Sequence, residues 1–474
     1  MGQQVPKYEH ESSEEASLLR SIAVKEEKMK ALERKQAQAE KRRKQIEASN
    51  TWKFGNLLEP FKKVWNRIFR PSQEEKKEIS HLEETIRKQQ ERIDELEERL
   101  LPLVFLDEQL TPQVLRQKIR RLQEEGKLLE NFDAILEQKH RLTDQYREAL
   151  IYTARLYMQE DPAIRARVYE DVFSGLTSEE IPEFMVRASL EEAPVSLGQA
   201  SSFRASLTKR IRQSQLVGPL PDWALDDKRT AYDFVQAFGI RVPQIDEETY
   251  TLDSLSPREA TVIKPADAGG ARGVYLVHDE ENIYDVHKTK TLTSFEALKE
   301  AMQEDLRSGA VAEDQWLVEE LIYENKADLL PARDIKFYSF YGKVGLILEI
   351  VRDPEIRHAW WTVDGRRITT GKYDASLFAG QGVTEGEIAQ VEALSKAIPT
   401  PFMRIDFLRS EEGLVFGEFT PKPGNYDEFD RKTDQLLGDY FIEAEARLWL
   451  DLLNGKTFPE FTSFLATRKR EQKI

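Results

Sequence analysis

Hydrophobic and polar positions divide the chain into two textures. Over residues 72–101, Ile79, Leu82, Ile86, Gln89, Ile93, Leu96 and Leu100 fall at the a and d positions of a heptad, the spacing of a coiled-coil seam. Three heptads make a short seam, so a dimer through this helix competes with an intramolecular helical hairpin. Gln89, the polar d residue, would weaken the seam and help to fix its register, and Leu101-Pro102 ends the pattern. Just upstream, "TWKFGNLLEPFKKVWNRIFRP" over 51–71 repeats Phe54, Leu57, Leu58, Phe61, Val64, Trp65 and Ile68 at helical spacing, with five Lys/Arg against one Glu. That predicts a basic amphipathic helix, which docks either on the rest of the chain, on a partner or on a membrane surface through 51–70. Residues 1–50 are charged and their apolar positions, Leu18, Ile22, Met29 and Leu32, are irregular, which predicts disorder or a weak solvated helix. Residues 102–215 hold helix-period segments broken at Asp161-Pro162 and Ile181-Pro182, and carry no recognisable chemistry.

After residue 216 Gly and Pro become regular and short strand-like runs alternate with helical ones, which predicts an α+β domain over 216–474. "DDKRTAYDFVQAFGIRVPQ" reads as a short helix from Lys228 to Gly239. "VIKP" reads as a buried strand ending in Lys264, followed by Gly269, Gly270 and Gly273 and a second strand, "GVYLV". Backbone N–H groups in such a loop can approach an anion closely, and a lysine beside them adds a charge for phosphate. A plain glycine-rich hairpin reads the same way, and the spacing is not that of a P-loop. "QWLVEELI" is an apolar strand ending in Glu319 and Glu320. "ARDIKFYSFYGKVGLILEIVRD" is a hairpin with its turn at Tyr341-Gly342, Asp334 and Lys336 on one face and Arg352 at the far end. "PFMRIDFLRSEEGLVFGEFTPKPGNY" is a further hairpin with Arg404 and Asp406 on its first strand and Glu418 on its second.

Composition narrows the chemistry. There is no cysteine among 474 residues, which removes thiol catalysis, disulfides and cysteine–metal sites, and six histidines make a histidine-rich metal site improbable. The net charge of −16 argues against general nucleic-acid binding. No apolar run is long enough to span a bilayer, and "MGQQVPKYEH" has no signal-peptide core, with Pro6 where a myristoylation motif wants Ser or Thr. The expectation is a cytoplasmic protein, membrane-associated if 51–70 serves that purpose, whose chemistry rests on Lys, Arg, Asp and Glu.

From Asp227 to Gly438 the order of these elements resembles the ATP-grasp superfamily. Within it, "DIKFYSFYGKV", "MRIDFLRSEEGLVFGEFTPKPG" and "TDQLLG" are most similar to the TupA-like group of polysaccharide and teichuronopeptide synthesis. The resemblance implies two α+β subdomains clasping ATP, behind a long helical and coiled-coil N-terminal region that it does not cover. It implies that Lys228 and Lys264 bind the nucleotide and that Ala268 to Gly273, including Gly269 and Gly270, close over the triphosphate. Glu320 and Leu321 would lie beside adenine and Asp334 at the ribose. Lys336 would touch phosphate, with Arg352 and Arg404 stabilising developing negative charge. Asp406 and Glu418 would ligate magnesium; Thr420 stands where the family usually has Asn, so either Thr420 or Asn425 completes the set, or one metal is held loosely. The implied reaction is ATP-dependent joining of a carboxylate to an amine through an acylphosphate, on glycan- or peptide-linked substrates. Arg357, His358, Trp360 and Trp361 are candidates for the acceptor pocket, with a packed Trp pair as the alternative. A scaffold with a nucleotide-binding but non-catalytic domain is the competing expectation.

Overall fold

The computed structural model describes residues 111–190, 195–246, 248–266, 272–352 and 355–471, with the single positions 41 and 88. The expected helices over 51–71 and 72–101, the segment 1–50 and the loop positions Ala268, Gly269 and Gly270 lie outside the described residues. Two compact units divide the chain, Met1–Val168 and Tyr169–Ile474. In the first, α1 (Pro112–Glu125) starts at Thr111, whose hydroxyl accepts the Val114 N–H at 3.4 Å, and stops at Gly126 in the left-handed region (φ 70°). It is followed by α2 (Leu128–Leu156). The break expected at Asp161-Pro162 is where Pro162 opens α3 (Pro162–Ser174).

The second unit holds α4 (Glu183–Ala188), α5 (Phe203–Val217) and α6 (Lys228–Gln236), then two antiparallel sheets. The smaller sheet has the order β4-β3-β2-β1-β5, with β1 Thr261–Pro265, β2 Tyr275–Val277, β3 Ile283–Asp285, β4 Lys290–Leu292 and β5 Trp316–Glu320. Helix α7 (Phe295–Ser308) covers one face, burying Leu298 and Met302 in one core with Ile263, Tyr275 and Trp316. A short ribbon of β6 (Tyr323–Asn325) and β7 (Leu330–Pro331) leads into the larger sheet. Its order is β11-β10-β9-β8-β12-β13, from β8 Asp334–Ser339, β9 Val344–Val351, β10 Arg357–Trp361, β11 Arg367–Ile368, β12 Met403–Ser410 and β13 Gly413–Thr420. Helices α8 (Glu385–Lys396), α9 (Arg431–Leu453) and α10 (Pro459–Glu471) complete the unit.

The predicted hairpin turn at Tyr341-Gly342 has both residues at positive φ (41° and 85°), the form that matches the twist of its flanking strands. Strand β9 is "VGLILEIV" and is buried along nearly its whole length, as a strand covered on both faces must be. Its one charge, Glu349, is fully buried and fully satisfied. Arg333 pairs with it, Trp361 Nε1 donates to it at 3.0 Å, and the backbone N–H groups of Gln381 and Gly382 donate at 3.0–3.1 Å. The core of the larger sheet is aromatic and includes Phe203, Phe337, Phe402, Phe416 and Phe429.

Candidate functional site

Antiparallel register builds the centre of the site. Asp406 on β12 is the cross-strand partner of both Lys336 on β8 and Glu418 on β13, so the three side chains form a row on one face of the larger sheet. One step along, Arg404 is flanked by Thr420. Between these rows and the next the register of β12 and β13 shifts, because Gly417 is an extra residue on β13. A Cβ there would come within 3.1 Å of the Asp406 carbonyl oxygen. The bulge sits at the acids themselves, where such irregularities re-aim side chains.

Asp406 is 4% exposed. Lys336 Nζ donates to it, Arg404 Nε donates to Oδ1 at 2.7 Å, and Arg404 Nη2 donates to Oδ2 at 2.7 Å. Burial pushes the Asp406 pKa up, but Arg404 and then Lys336 overcome it and hold the carboxyl below its ordinary value. Arg404 Nη2 also donates to Thr420 Oγ1 at 2.9 Å. Glu418 is freer: its oxygens lie 3.8 Å from Arg404 and 4.0 Å from Lys228.

The smaller sheet faces this row with its own charges. Lys264 at the end of β1 pairs diagonally with Glu319 on β5, and neither Lys264 Nζ nor Glu319 Oε2 has a further hydrogen-bond partner. Burial pushes Lys264 down, Glu319 opposes the shift and the Lys228 ammonium adds to it, leaving the group lowered to about 8. Lys228, the first residue of α6, moves the other way. Burial lowers it, but Glu319 and Glu418 more than offset that and raise it. This lysine thus stands between a carboxylate of each sheet. Gly273 serves the turn: at φ 68° its missing Cβ would come within 2.7 Å of both Pro265 and Val311.

The remaining expected residues lie around this centre. Asp334 accepts from Arg352 Nε at 3.0 Å, and that carboxylate is the main cause of a raised Arg352 pKa. Glu320 accepts from Arg241 Nη2 at 2.7 Å, and Leu321, buried where the chain leaves the smaller sheet, donates its N–H to Ala260 O at 2.9 Å. Asn425 takes the left-handed conformation (φ 53°) in the loop after β13. The tryptophans separate: register places His358 and Trp360 on the face of Asp334 and Lys336, and Trp361 on the face of Glu349. They are no packed pair, and Trp361 points away from the site. Arg357 lies over the Phe378 ring at 5.8 Å. His358 stacks on Tyr373 with centroids 4.2 Å apart, and burial, Arg352 and Lys372 lower its pKa.

Sequence reasoning missed Lys372. It is 2% exposed, donates to Gly424 O at 2.8 Å, and burial, reinforced by Arg404, lowers it to about 8 despite Glu428 and Asp427. No motif marks it. Arg241 was passed over too, although a lone Arg in the extended "GIRVP" was a visible signal.

The donor set suits a polyphosphate and a divalent cation. Lysines from the smaller sheet and α6 converge on it, and two carboxylates stand in register opposite. No group of three or more His, Asp or Glu placed to hold a metal occurs among the described residues. Magnesium, however, is bound through one or two carboxylates when phosphates and water complete its shell. Asp406 and Glu418 fit that role, with Thr420 beside them.

A two-sheet clasp with cations on one sheet and a cation–carboxylate row on the other defines an ATP-grasp protein. The model of the TupA-like ATPgrasp family matches residues 205–442, half of the chain, and the chain belongs to that family. Similar solved structures include D-alanine–D-alanine ligase from Bacillus anthracis, at 15% identity over 47% of this chain and 68% of that one, TM-score 0.30. The ATP-grasp ligase PsnB complexed with minimal precursor, Mg and ADP has 13% identity over 52% and 70%, TM-score 0.27. The macrocyclase MdnC bound with precursor peptide MdnA, from Microcystis aeruginosa MRC, has 11% identity over 51% and 72%, TM-score 0.28. These likenesses are distant and carry no argument about activity. No curated protein sequence matches the chain.

Proposed function

We propose that the chain is an ATP-dependent, ADP-forming carboxylate–amine ligase acting on an acidic glycan or peptide precursor in cell-surface polysaccharide biosynthesis. The observation that carries this is the row Lys336–Asp406–Glu418 facing Lys264, with Lys228 between the two sheets. ATP transfers its γ-phosphoryl group to the substrate carboxylate, releasing ADP and giving an acylphosphate; the amine then attacks the acyl carbon, breaking the C–O bond to expel inorganic phosphate and losing a proton as the amide forms. Lys228 and Lys264 hold the phosphates, and Glu320 and Leu321 border the base. Asp334 meets the ribose, and Asp406 and Glu418, with Thr420 or Asn425, hold magnesium. Lys336, Arg404 and Arg352 neutralise charge as the phosphoryl group moves, so positioning and electrostatics do the catalysis without a protein nucleophile. In the same proposal, the heptads of 72–101 form a homodimer and 51–70 touches a membrane surface. No helix among the described residues is long and apolar enough to cross one.

One observation favours a second reading, nucleotide binding without turnover: the Thr420 hydroxyl is already taken by Arg404. ADP release that requires both a carboxylate and an amine would exclude it.

Titration calorimetry of MgATP against wild type and Lys264→Met tests the nucleotide site. The variant should bind at least tenfold more weakly, on the order of 1.4 kcal/mol or more. The pH dependence has a defined sign. Lys264 is lowered to about 8 in the ligand-free protein, and a phosphate beside Nζ favours the charged form. Binding therefore takes up a proton above pH 8, and affinity is highest below pH 8 and falls as pH rises. Lys264→Met should lose that slope, and absence of MgATP binding to wild type at millimolar concentration would sink the nucleotide reading.

A further inference from the structure

Among the described residues, Lys372 is a buried cation near Lys336 and Arg404 that makes no ion pair. Its single hydrogen bond goes to a neutral carbonyl, Gly424 O. No carboxylate among the described residues lies within ion-pair distance. The faces of Tyr373 and Phe429 lie 5.0 and 5.2 Å away, weak partners compared with an anion, and Glu428 and Asp427 act on it without making an ion pair. Two more cations, Lys336 and Arg404, stand nearby and already share Asp406. Arg404 and Lys336 thus share one buried carboxylate while both act on Lys372 as like charges, and a buried cation without an ion-pair partner costs stability unless an anion completes it.

The backbone around Lys372 is built to hold it there. Gly371 (φ 82°) and Tyr373 (φ 63°) flank it in the left-handed region, a strain that persists where the surroundings over-determine it. A Cβ on Gly371 would come within 2.7 Å of Asp430 N, so this loop and the one after β13 lie directly against each other. Trp360 Nε1 fixes the Lys372 carbonyl at 2.8 Å. The carbonyl that accepts from the ammonium, Gly424 O, is followed directly by Asn425 at φ 53°.

We propose that Lys372 is a substrate-anion site: it receives an anionic oxygen of the molecule that meets the nucleotide at Lys336 and Arg404, and the turn at Gly424 lifts to admit it. The ligand class is a carboxylate or phosphoryl oxygen, and the assignment rests on the ligase reading above. Its source is the acid substrate or the γ-phosphate.

The test uses inorganic phosphate as the probe on the full chain, at constant ionic strength, read as the rise in melting temperature. Lys228 and Lys264 already have Glu319 and Glu418 as partners, whereas Lys372 makes no ion pair among the described residues. Wild type should show a concentration-dependent rise, Lys372→Met should lose it, and Lys372→Arg should keep most of it. Loss in Lys372→Met with recovery in Lys372→Arg sustains the proposal even if the Met variant is less stable. No rise in wild type, or a rise that survives in Lys372→Met but disappears in Lys264→Met, overturns it. Comparing MgAMPPNP with MgADP separates the sources: weaker binding of MgAMPPNP alone assigns the anion to the γ-phosphate, and unchanged binding of both assigns it to the acid substrate. Failure of MgADP to bind wild type would defeat the nucleotide reading while leaving the phosphate arm decisive for Lys372.

Discussion

Asp406→Asn should unfold at a markedly lower temperature than wild type and, on the ligase proposal, lose magnesium-dependent activity. The carboxylate is buried and balances Arg404 and Lys336. Removing one partner of a buried ion pair leaves uncompensated charge and costs about 3–5 kcal/mol, a shift on the order of 10 °C for a domain of this size. The pH behaviour follows from the lowered Asp406 pKa. A carboxyl held below its unfolded value contributes stability that is fully present above about pH 4 and is lost as pH falls through the folded value. The stability gap between wild type and variant should therefore be flat near neutrality and shrink in acid, as urea denaturation at pH 7 and near pH 3 would reveal. A variant within 0.5 kcal/mol of wild type at pH 7, a margin of about one neutral surface change, would mean that the two cations do not depend on this acid. Loss of a nucleotide effect in Asp406→Asn is thus no clean measure of metal binding. Glu418→Gln is the better probe, because Glu418 is 40% exposed at its side chain and its cationic neighbours are 3.8–4.0 Å away.

Phe203→Ala should cost about 3–5 kcal/mol, the range for deleting a fully buried aromatic. Phe203 is 0% exposed and meets four rings, Phe402 at 4.9 Å, Phe340 at 5.9 Å, Tyr338 at 6.2 Å and Phe429 at 6.3 Å. Three of those rings come from the larger sheet and its adjoining segments, so the loss is felt beneath Lys336 and Arg404. The helix also holds on by polar contacts: Ser202 Oγ donates to Asp434 Oδ2 at 2.7 Å and Arg204 N–H to Oδ1 at 2.9 Å. A chain begun at residue 216 would lack all of this, and its chemical denaturation should lose cooperativity. A cooperative, wild-type-like transition in that chain would show that α5 is dispensable.

The hairpins were legible because they are local. Period-two alternation and the Tyr341-Gly342 turn fix which residues share a face, so Asp334 with Lys336, and Arg404 with Asp406, could be placed from sequence order alone. That Asp406 lies between Lys336 and Glu418 depends on strand order, which only tertiary structure supplies. The same alternation separates Trp360 from Trp361, so the adjacent pair never forms one surface. For contacts distant in sequence, no local pattern names the partner. Arg241 and Glu320 are 79 residues apart, and Lys372 and Gly424 are 52 apart. Lys372 is buried because two irregular loops close against each other, and neither loop has a periodicity from which that could be read.

If the proposed nucleotide site is right, the Lys264–Glu319 pair makes it selective by competition. The lysine is never bare, because a tethered carboxylate occupies it at an effective concentration that a dilute free anion cannot match. On that proposal, displacing Glu319 from Lys264 requires a ligand that gains other contacts in the same event, which a chain of phosphates reaching Lys228 and Lys336 would do and a single phosphate would not. Glu319 thereby acts as an occupant that yields to length and charge together, so affinity should climb steeply from mono- to di- to triphosphate.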